Sequence, residues 1–445
     1  MKPHTRRGVR GVLLTLVATA TVSGVAVAQE DNNPPLADTS ALAKIVNTTA
    51  GEFTPARGFQ IYYSPRASLN ISFYGLFRYL SQNGDSAWTD HLGRPQTSKR
   101  RNDQNWHRSM IWFTGHFWTP KLRYNMTSWS LGSTQQNLVY GNLQYTVNKA
   151  LTIAAGMAPN LTNRSMQGSF PYWAGSDRQL VEESLRGGFS SGAWISGQPV
   201  KRLYYSASVN TNLSQLGVTA ANDPRTLAYS GSLQWLPTTG EFGPRGGFGD
   251  LEHHDKVATR FGTSMAHVRE GRGAPDLDAN NETQIRLSDG LYAFQHDALG
   301  DGLTVRFLDY DLVGFDAGLK YKGFTFQGEL MMRKLSNFEF TSNSDTPGPT
   351  TPTQLTDNGL QLQAMQMVVP KYLGIYGTYG FVRDDFKRNP YEISGGASFY
   401  PTGTRSWRLN MHIINVHKSS AGSNFGYYAA GQSGTTFSLG TDIIF

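Results

Sequence analysis

The sequence predicts an all-β chain, a transmembrane antiparallel β-barrel. Three observations predict it. Many short segments alternate apolar and polar residues with period two, as a wall greasy outside and wet inside requires. No segment after the N-terminus has the length and unbroken apolarity of a membrane helix, which needs about 20 residues. The two ends of the chain read as an export leader and as a strand that closes a barrel wall.

The leader comes first. Lys2, Arg6, Arg7 and Arg10 form a basic start, Val12 to Ala18 an apolar run, and Ala26-Val27-Ala28 a small-residue cleavage site. Residues 1–28 are therefore expected to be a signal peptide, with Gln29 the first mature residue. The run is too short and too rich in Thr, Ser and Gly to remain as an anchor. Residues 29–65 fit no strand pattern and are expected to be a periplasmic or linker segment, with one or two helical turns at Ala41 to Thr48. The barrel is expected over 66–445.

Within that span the alternation recurs. Leu69, Ile71, Phe73, Gly75 and Phe77 share one parity against Asn70, Ser72, Tyr74 and Arg78. Leu122, Tyr124 and Met126 alternate with Lys121, Arg123 and Asn125. The clearest hairpin has Val139, Leu143, Tyr145 and Val147 before the turn Asn148-Lys149-Ala150, and Leu151, Ile153, Ala155 and Met157 after it. Apolar residues two apart on both sides of a short polar turn are a hairpin signature, and helical spacing is absent. Leu203, Tyr205, Ala207 and Val209 follow a turn near Pro199. A second hairpin joins Phe315 to Tyr321 and Phe324 to Met332 through Lys322-Gly323. Tyr391 to Phe399 and Trp407 to Ile413 repeat the pattern. In the last segment Phe437, Leu439, Ile443 and Phe445 face one way and Ser438, Gly440 and Asp442 the other. A bare apolar face on a terminal strand invites aggregation in water, but a barrel wall needs one. The terminal Phe445 resembles the signal that outer-membrane barrels of Gram-negative bacteria present to the barrel assembly machinery.

After residue 28 the chain has 417 residues. At roughly 24–26 residues per strand and connection, about 16 strands are expected, with 14–18 the range. Loop-like stretches at Asn83 to Asn105, Pro237 to Gly249, Gly271 to Asn281 and Thr341 to Asn358 are expected to be long extracellular loops. With 24 Phe, 21 Tyr and 9 Trp, the chain has the aromatics for interfacial girdles. These are expected where aromatics gather near segment ends, at Trp112/Trp118, Tyr204/Tyr205, Tyr372/Tyr376 and Trp407. That placement favours a barrel over a soluble β-sandwich. The mean hydropathy of −0.40 fits a barrel, since only every second strand residue meets lipid.

There is no cysteine, so stability must come from the hydrogen-bonded wall rather than disulfides. Four of the 40 basic residues lie in the leader; the remaining 36 face 33 acids, a balance of +3. Net charge thus argues for no anionic partner, and no nucleic acid is expected; the placement of charges has to decide.

A family resemblance enters in mid-chain. Leu151 to Leu161 (LTIAAGMAPNL), Phe170-Pro171-Tyr172-Trp173, Asp177 to Leu185 (DRQLVEESL) and Arg186-Gly187-Gly188-Phe189 resemble the phosphate-selective porins of the O/P type. The resemblance covers roughly residues 110–210. It implies a 16-stranded, trimeric outer-membrane barrel whose third loop, here about Ala158 to Gly187, folds into the pore. It also implies a pore lined by Arg and Lys that pass small anions inward. On the loop these are Arg164, Arg178 and Arg186; Asp177, Glu182 and Glu183 stand beside them. The strand end Met157-Ala158-Pro159-Asn160 lacks the lysine common in the family.

Independently of the resemblance, a pore selects charge by fixing one sign at a narrow, weakly screened point. Arg suits oxyanions because its planar fork donates two hydrogen bonds. Lumen parity places Arg78, Lys121, Arg123, Lys320, Arg333 and Arg408 inward, with Asp316, Glu329 and Glu392. The competing account of any one of them is a charge ladder that braces a wet interior. The candidate pore residues are therefore Arg164, Arg178, Arg186, Lys121, Arg123, Lys320 and Arg408. No metal or other cofactor is expected. His253-His254-Asp255 reads as a solvated outer loop, because adjacent histidines in a strand point to opposite faces.

The expected function is a porin for passive diffusion of small hydrophilic solutes, with anions or phosphate preferred and no catalysis. Outer-membrane lipid, the assembly machinery and a homotrimer are its expected partners. Two alternatives stand. A sugar-specific channel needs an aromatic track along the lumen, and a barrel enzyme needs a Ser/His constellation at the membrane rim. His107, His116, His267, His296, His412 and His417 are the histidines available for the latter.

Overall fold

A computed structural model describes residues 58–445 except 133–135, 168–172, 214–226, 243–247, 272–284, 342–350 and 423–425. The leader, the stretch Ala41 to Thr48, Phe170 to Tyr172 and most of Gly271 to Asn281 lie outside the described residues.

Sixteen antiparallel strands close into a barrel, as the spacing predicts. They are β2 (Ala67–Gly84), β5 (Asn102–Phe117), β6 (Thr119–Leu131), β7 (Gln136–Asn148), β8 (Leu151–Pro159), β9 (Phe189–Val200), β10 (Leu203–Asn210), β11 (Ala228–Trp235), β12 (Ala258–Gly271), β13 (Val305–Tyr321), β14 (Phe324–Phe340), β15 (Gln354–Val369), β16 (Leu373–Asp384), β17 (Tyr391–Phe399), β18 (Trp407–His417) and β19 (Gly434–Ile444). Each pairs with the next, and β19 closes the wall on β2. A small hairpin, β3 (Ala87–Thr89) with β4 (Pro95–Thr97), decorates the connection between β2 and β5.

The wall explains the alternation. Val139, Ile153, Met265, Phe315, Ile375, Ile393, Ile413 and Leu439 stand exposed on the outside, while their strand neighbours are buried inside. That apolar band, on a wall whose strands pair each with the next all the way round, makes this a membrane-spanning barrel of the outer-membrane type. Lys322 and Gly323, at φ 45° and 84°, form the two-residue turn between β13 and β14. Positive φ at both positions matches the twist of the flanking strands.

At the seam, Phe445 and Phe73 exchange two main-chain hydrogen bonds of 3.0 Å. A short strand, β1 (Phe59–Ser64), pairs with β2 beyond the point where β19 ends; Phe59 lies opposite Ile71 and Tyr62 opposite Leu69. Rings of Phe59 and Phe73 pack on Phe445 at 5.2 and 5.4 Å. Residues 59–64, expected outside any strand, thus extend the wall. Their FQIYYS run is apolar without alternating, which hides it from a period-two pattern.

The connections at one end are short, as between β7 and β8 or β13 and β14; that end is the periplasmic one. The connection between β11 and β12 is the exception, and it corrects an expectation. Pro237 to Gly249 and His253-His254-Asp255 were expected in an outer loop. Leu203 pairs with Trp235, so β11 ends beside the turn between β9 and β10. Lys322 N–H donates to His254 O at 2.9 Å and Gly323 N–H to Asp250 Oδ2 at 2.8 Å, which fixes the stretch to the periplasmic turn of another hairpin. Gly/Pro-rich composition marks a loop but not its side of the membrane.

Two further expectations change. Trp112 and Tyr376 face the lumen and are buried, whereas Trp118, Tyr372 and Trp407 are exposed as girdle residues should be. Trp112 lies opposite Ser72, so parity and not proximity to a strand end decides its side. The lumen is also not uniformly polar. On β12 to β16, Val268, Tyr310, Leu312, Met331, Leu355 and Val382 point inward and pack with Leu287, Leu291 and Phe294 of the connection between β12 and β13. An apolar patch on the inner wall is stable only when such a segment covers it.

Candidate functional site

The connection from β8 to β9, described over residues 160–167 and 173–188, enters the barrel and crosses it, as expected for the third loop. Its neck is set by Asn160, whose Nδ2 donates to Gly188 O at 3.2 Å and to Asn212 O at 3.0 Å. Ser230 Oγ accepts from Leu161 N–H at 2.9 Å, and Ser264 Oγ donates to Thr162 O at 2.9 Å. The loop therefore leans first on β11 and β12.

A 3-10 turn follows at Arg164–Gln167. Glu329 Oε1 accepts from Arg164 N–H at 2.7 Å, and Gln327 bonds the guanidinium. Burial pushes Arg164 down to about 10. Across the lumen, Arg408 Nη1 donates to Trp173 O at 2.6 Å and Asn410 Nδ2 to Ala174 O at 3.2 Å. Arg408 also pairs with Asp442 at 2.7 Å.

Asp177 is the hub. Arg78 from β2 reaches its Oδ2 at 3.3 Å, Arg108 from β5 bonds the same atom, and His107 Nε2 lies 3.5 Å away. Burial alone would raise this carboxyl; Arg108, His107 and Arg78 outweigh it and hold it well below the usual carboxylate range. Tyr427, from the connection between β18 and β19, accepts from Ser176 and Asp177 N–H at 2.7 and 2.9 Å. Burial, with Asp177 adding, pushes the Tyr427 hydroxyl up to about 12.

A six-residue helix, Leu180–Leu185, completes the loop. It has no side-chain cap of its own; Glu392 Oε2 on β17 accepts from Leu180 N–H at 2.9 Å. A wall carboxylate thus serves the helix start, where an anion is favoured. At the other end Tyr310 Oη donates to Leu185 O at 2.6 Å and Arg333 Nη1 to Ser184 O at 3.1 Å. The helix lies so near β15 that a side chain on Gly359 would meet Val181 Cγ1 at 2.4 Å and Leu185 Cδ1 at 2.8 Å.

The candidate residues fall into two groups. Arg164, Arg178 and Arg186 lie on the inward loop. Arg178 pairs with Glu182 at 2.8 Å and stands 4.7 Å over the Trp173 ring; Arg186 reaches Glu183 at 3.4 Å. Burial raises Glu182, with Arg178 pulling the other way. Arg408 and Lys320 project from the wall. Lys320 Nζ is buried 4.0 Å from Glu252 and 5.1 Å over the Phe242 ring. Lys121 and Arg123 are not brought to the loop: they sit at the periplasmic end of β6, Lys121 exposed and Arg123 half-buried opposite His116. Sequence reasoning did not single out Arg108, and it named His107 only among the histidines available to a barrel enzyme. Arg108 lies two residues before Met110 on the inward parity of β5, and that spacing was the available signal.

Asp250, Glu252 and His254 have ligand atoms within 4.8 Å of one another. Arg405 and Lys320 face Glu252 at 3.3 and 4.0 Å, so this is an ion-pair network. Two histidines meet serines: His116 Nδ1 and Ser68 Oγ at 2.7 Å, and His412 Nε2 and Ser394 Oγ at 2.8 Å. The second nitrogen of His116 meets Ser64 O at 3.1 Å, and that of His412 has no hydrogen-bond partner among the described residues. Neither pair is the nucleophile–base–orienter arrangement of acyl transfer.

No protein-family model matches the chain, and no curated protein matches it in sequence. Solved structures match it in fold. OmpT of the outer membrane of Vibrio cholerae superposes with a TM-score of 0.52 at 8% identity, over 86% of this chain and 100% of its own. An anion-selective porin from Comamonas acidovorans does so with a TM-score of 0.50 at 12% identity, over 85% and 100%. The chain has the 16-stranded fold of outer-membrane porins, with one loop folded across its lumen.

Proposed function

We propose that the chain is a passive outer-membrane channel for small hydrophilic solutes, with a modest preference for anions. The observation that carries this reading is the loop 160–188, which crosses a barrel lumen and meets charged wall residues on both sides. Fixed charge at a narrow, weakly screened point decides which ions pass. At Asp177 two guanidiniums face one carboxylate, so the local balance is positive. Elsewhere pairs such as Arg408 with Asp442 and Arg333 with Asp357 are one to one, which keeps the preference modest. A guanidinium fork also suits phosphate, which would compete with Asp177 for Arg78 and Arg108. Assembly as a homotrimer in outer-membrane lipid, after delivery by the barrel assembly machinery through the Phe445 strand, belongs to the same reading.

Single-channel recording of the purified protein in a salt gradient tests it. The expected result is an anion-directed reversal potential and partial block by phosphate. Cation preference without phosphate block removes the anion claim, and absence of conductance removes the channel itself.

A further inference from the structure

Residues 248–257 give the periplasmic mouth a feature that the other turns at that end lack. Phe248 and Leu251 are buried with Met365, Met367, Tyr376 and Tyr400 of the wall and with Ala174 of the inward loop. The two segments enter from opposite ends and meet there, on the side of the lumen lined by β15 and β16. Gly249, at φ 86°, lets the chain turn there, and a side chain on it would meet Met365 Sδ at 2.8 Å.

Arg405 donates to Phe248 O and Gly249 O, both at 2.9 Å, and reaches Glu252 at 3.3 Å. Asp250 accepts from Gly323 N–H at 2.8 Å and from His254 N–H at 3.0 Å. Lys322 N–H donates to His254 O at 2.9 Å. Buried carbonyls and a buried carboxylate need such partners, so losing one donor loosens the whole segment. Two of the wall residues beneath it are methionines, which repack readily around a departing or returning side chain.

We propose that residues 248–257 are an inner gate: they narrow the periplasmic mouth in the conformation seen here, and solutes pass freely when Phe248 and Leu251 leave the lumen. This rests on the channel reading above. The gate, rather than the inward loop, then sets how often the channel conducts, because its main chain is held by Arg405, by Asp250 and by the turn at Lys322.

The absence of cysteine in the natural chain allows a clean lock. His254 and Lys322 are joined main chain to main chain, close enough for a disulfide. The double variant His254→Cys, Lys322→Cys is reconstituted in planar bilayers, oxidised and then reduced, beside wild type and Arg405→Ala. Heat-modifiable migration on gels confirms that each is a folded barrel. The expected result is at least a tenfold drop in open-channel current on oxidation, restored by reductant, and a severalfold rise in open time for Arg405→Ala. Equal currents in the oxidised and reduced forms, with wild type conducting, overturn the gate and leave the channel reading standing. So does an Arg405→Ala barrel whose open time equals that of wild type. No current from wild type, Arg405→Ala or the reduced double variant overturns both.

Discussion

Two chain segments meet inside this barrel, and they are held differently. The inward loop 160–188 is tied by buried charge: Asp177 to Arg78 and Arg108, Arg164 to Glu329 and Gln327, Leu180 to Glu392, Ser184 to Arg333. The periplasmic segment 248–257 is held by two apolar side chains, by Arg405 on main-chain carbonyls, by the buried Asp250 on main-chain N–H groups, and by Glu252, which is partly exposed. Breaking one side of a buried ion pair strands the other charge in a poor medium, whereas a half-exposed pair is screened and worth little. The comparison teaches that a plug can be fixed or releasable according to how its charges are buried, whatever its apolar area.

The largest effect is expected where the inward loop is tied most tightly. Asp177→Ala leaves Arg78 and Arg108 facing each other without their carboxylate. It should cost about 3–5 kcal/mol, read as a lower urea midpoint in detergent. In variants that still fold, such as Asp177→Asn, the reversal potential should move toward anions. Next, Gly359→Leu overfills the space between β15 and the helix Leu180–Leu185 and should cost about 1–3 kcal/mol by overpacking. If the loop is as rigidly held as its contacts imply, this variant changes conductance as well as stability; a change in stability alone means that the helix does not border the solute path.

How much of this was legible beforehand depends on the residue. Val139, Ile153 and Met157 announced a hairpin because lipid on one side and water on the other force period two. Lys322-Gly323 announced its turn because few residues tolerate two positive φ values in succession. Arg164, Arg178 and Arg186 were found through the loop motif, and Arg408 and Lys320 through parity. Their partners were not legible: Asp177 meets Arg78 and Arg108 across 99 and 69 residues of sequence, a distance that only barrel closure removes. The side of the membrane reached by Gly249 to His254 depends on counting strands, which one missed segment inverts. The apolar inner patch around Tyr310 and Met331 breaks the alternation rule, because a folded-in segment there replaces water.

A smaller effect is expected at His254 on the periplasmic segment. Burial would lower its imidazole, but hydrogen bonds to Asp250 and Glu241 prevail and raise it above the ordinary value near 6.5. A histidine raised on folding contributes stability that is complete below its unfolded value and is lost as pH rises through the folded one. The groups around it are Asp250, Glu241 and, through the network, Glu252 with Arg405 and Lys320. Open time should therefore increase as pH rises from about 6 to 9, and His254→Asn should flatten the profile. A profile as steep in that variant as in wild type assigns the pH response elsewhere.

The smallest effect is expected at Lys121 and Arg123, and it sharpens the comparison most. Both lie on lumen parity, yet Lys121 is exposed at the periplasmic end of β6 and neither reaches the inward loop. A charge exposed at the end of the barrel acts over a Debye length, about 30 Å in 0.01 M salt and about 3 Å in 1 M. Changing both residues to Gln should shift the reversal potential slightly toward cations in dilute salt and not at all in 1 M. Arg108→Gln, buried against Asp177, should keep more of its shift in 1 M salt, because buried charges are screened much less than exposed ones. If the double variant matches Arg108→Gln in 1 M salt, charge selection resides at the periplasmic mouth beside residues 248–257, and the inward loop is a brace rather than a filter.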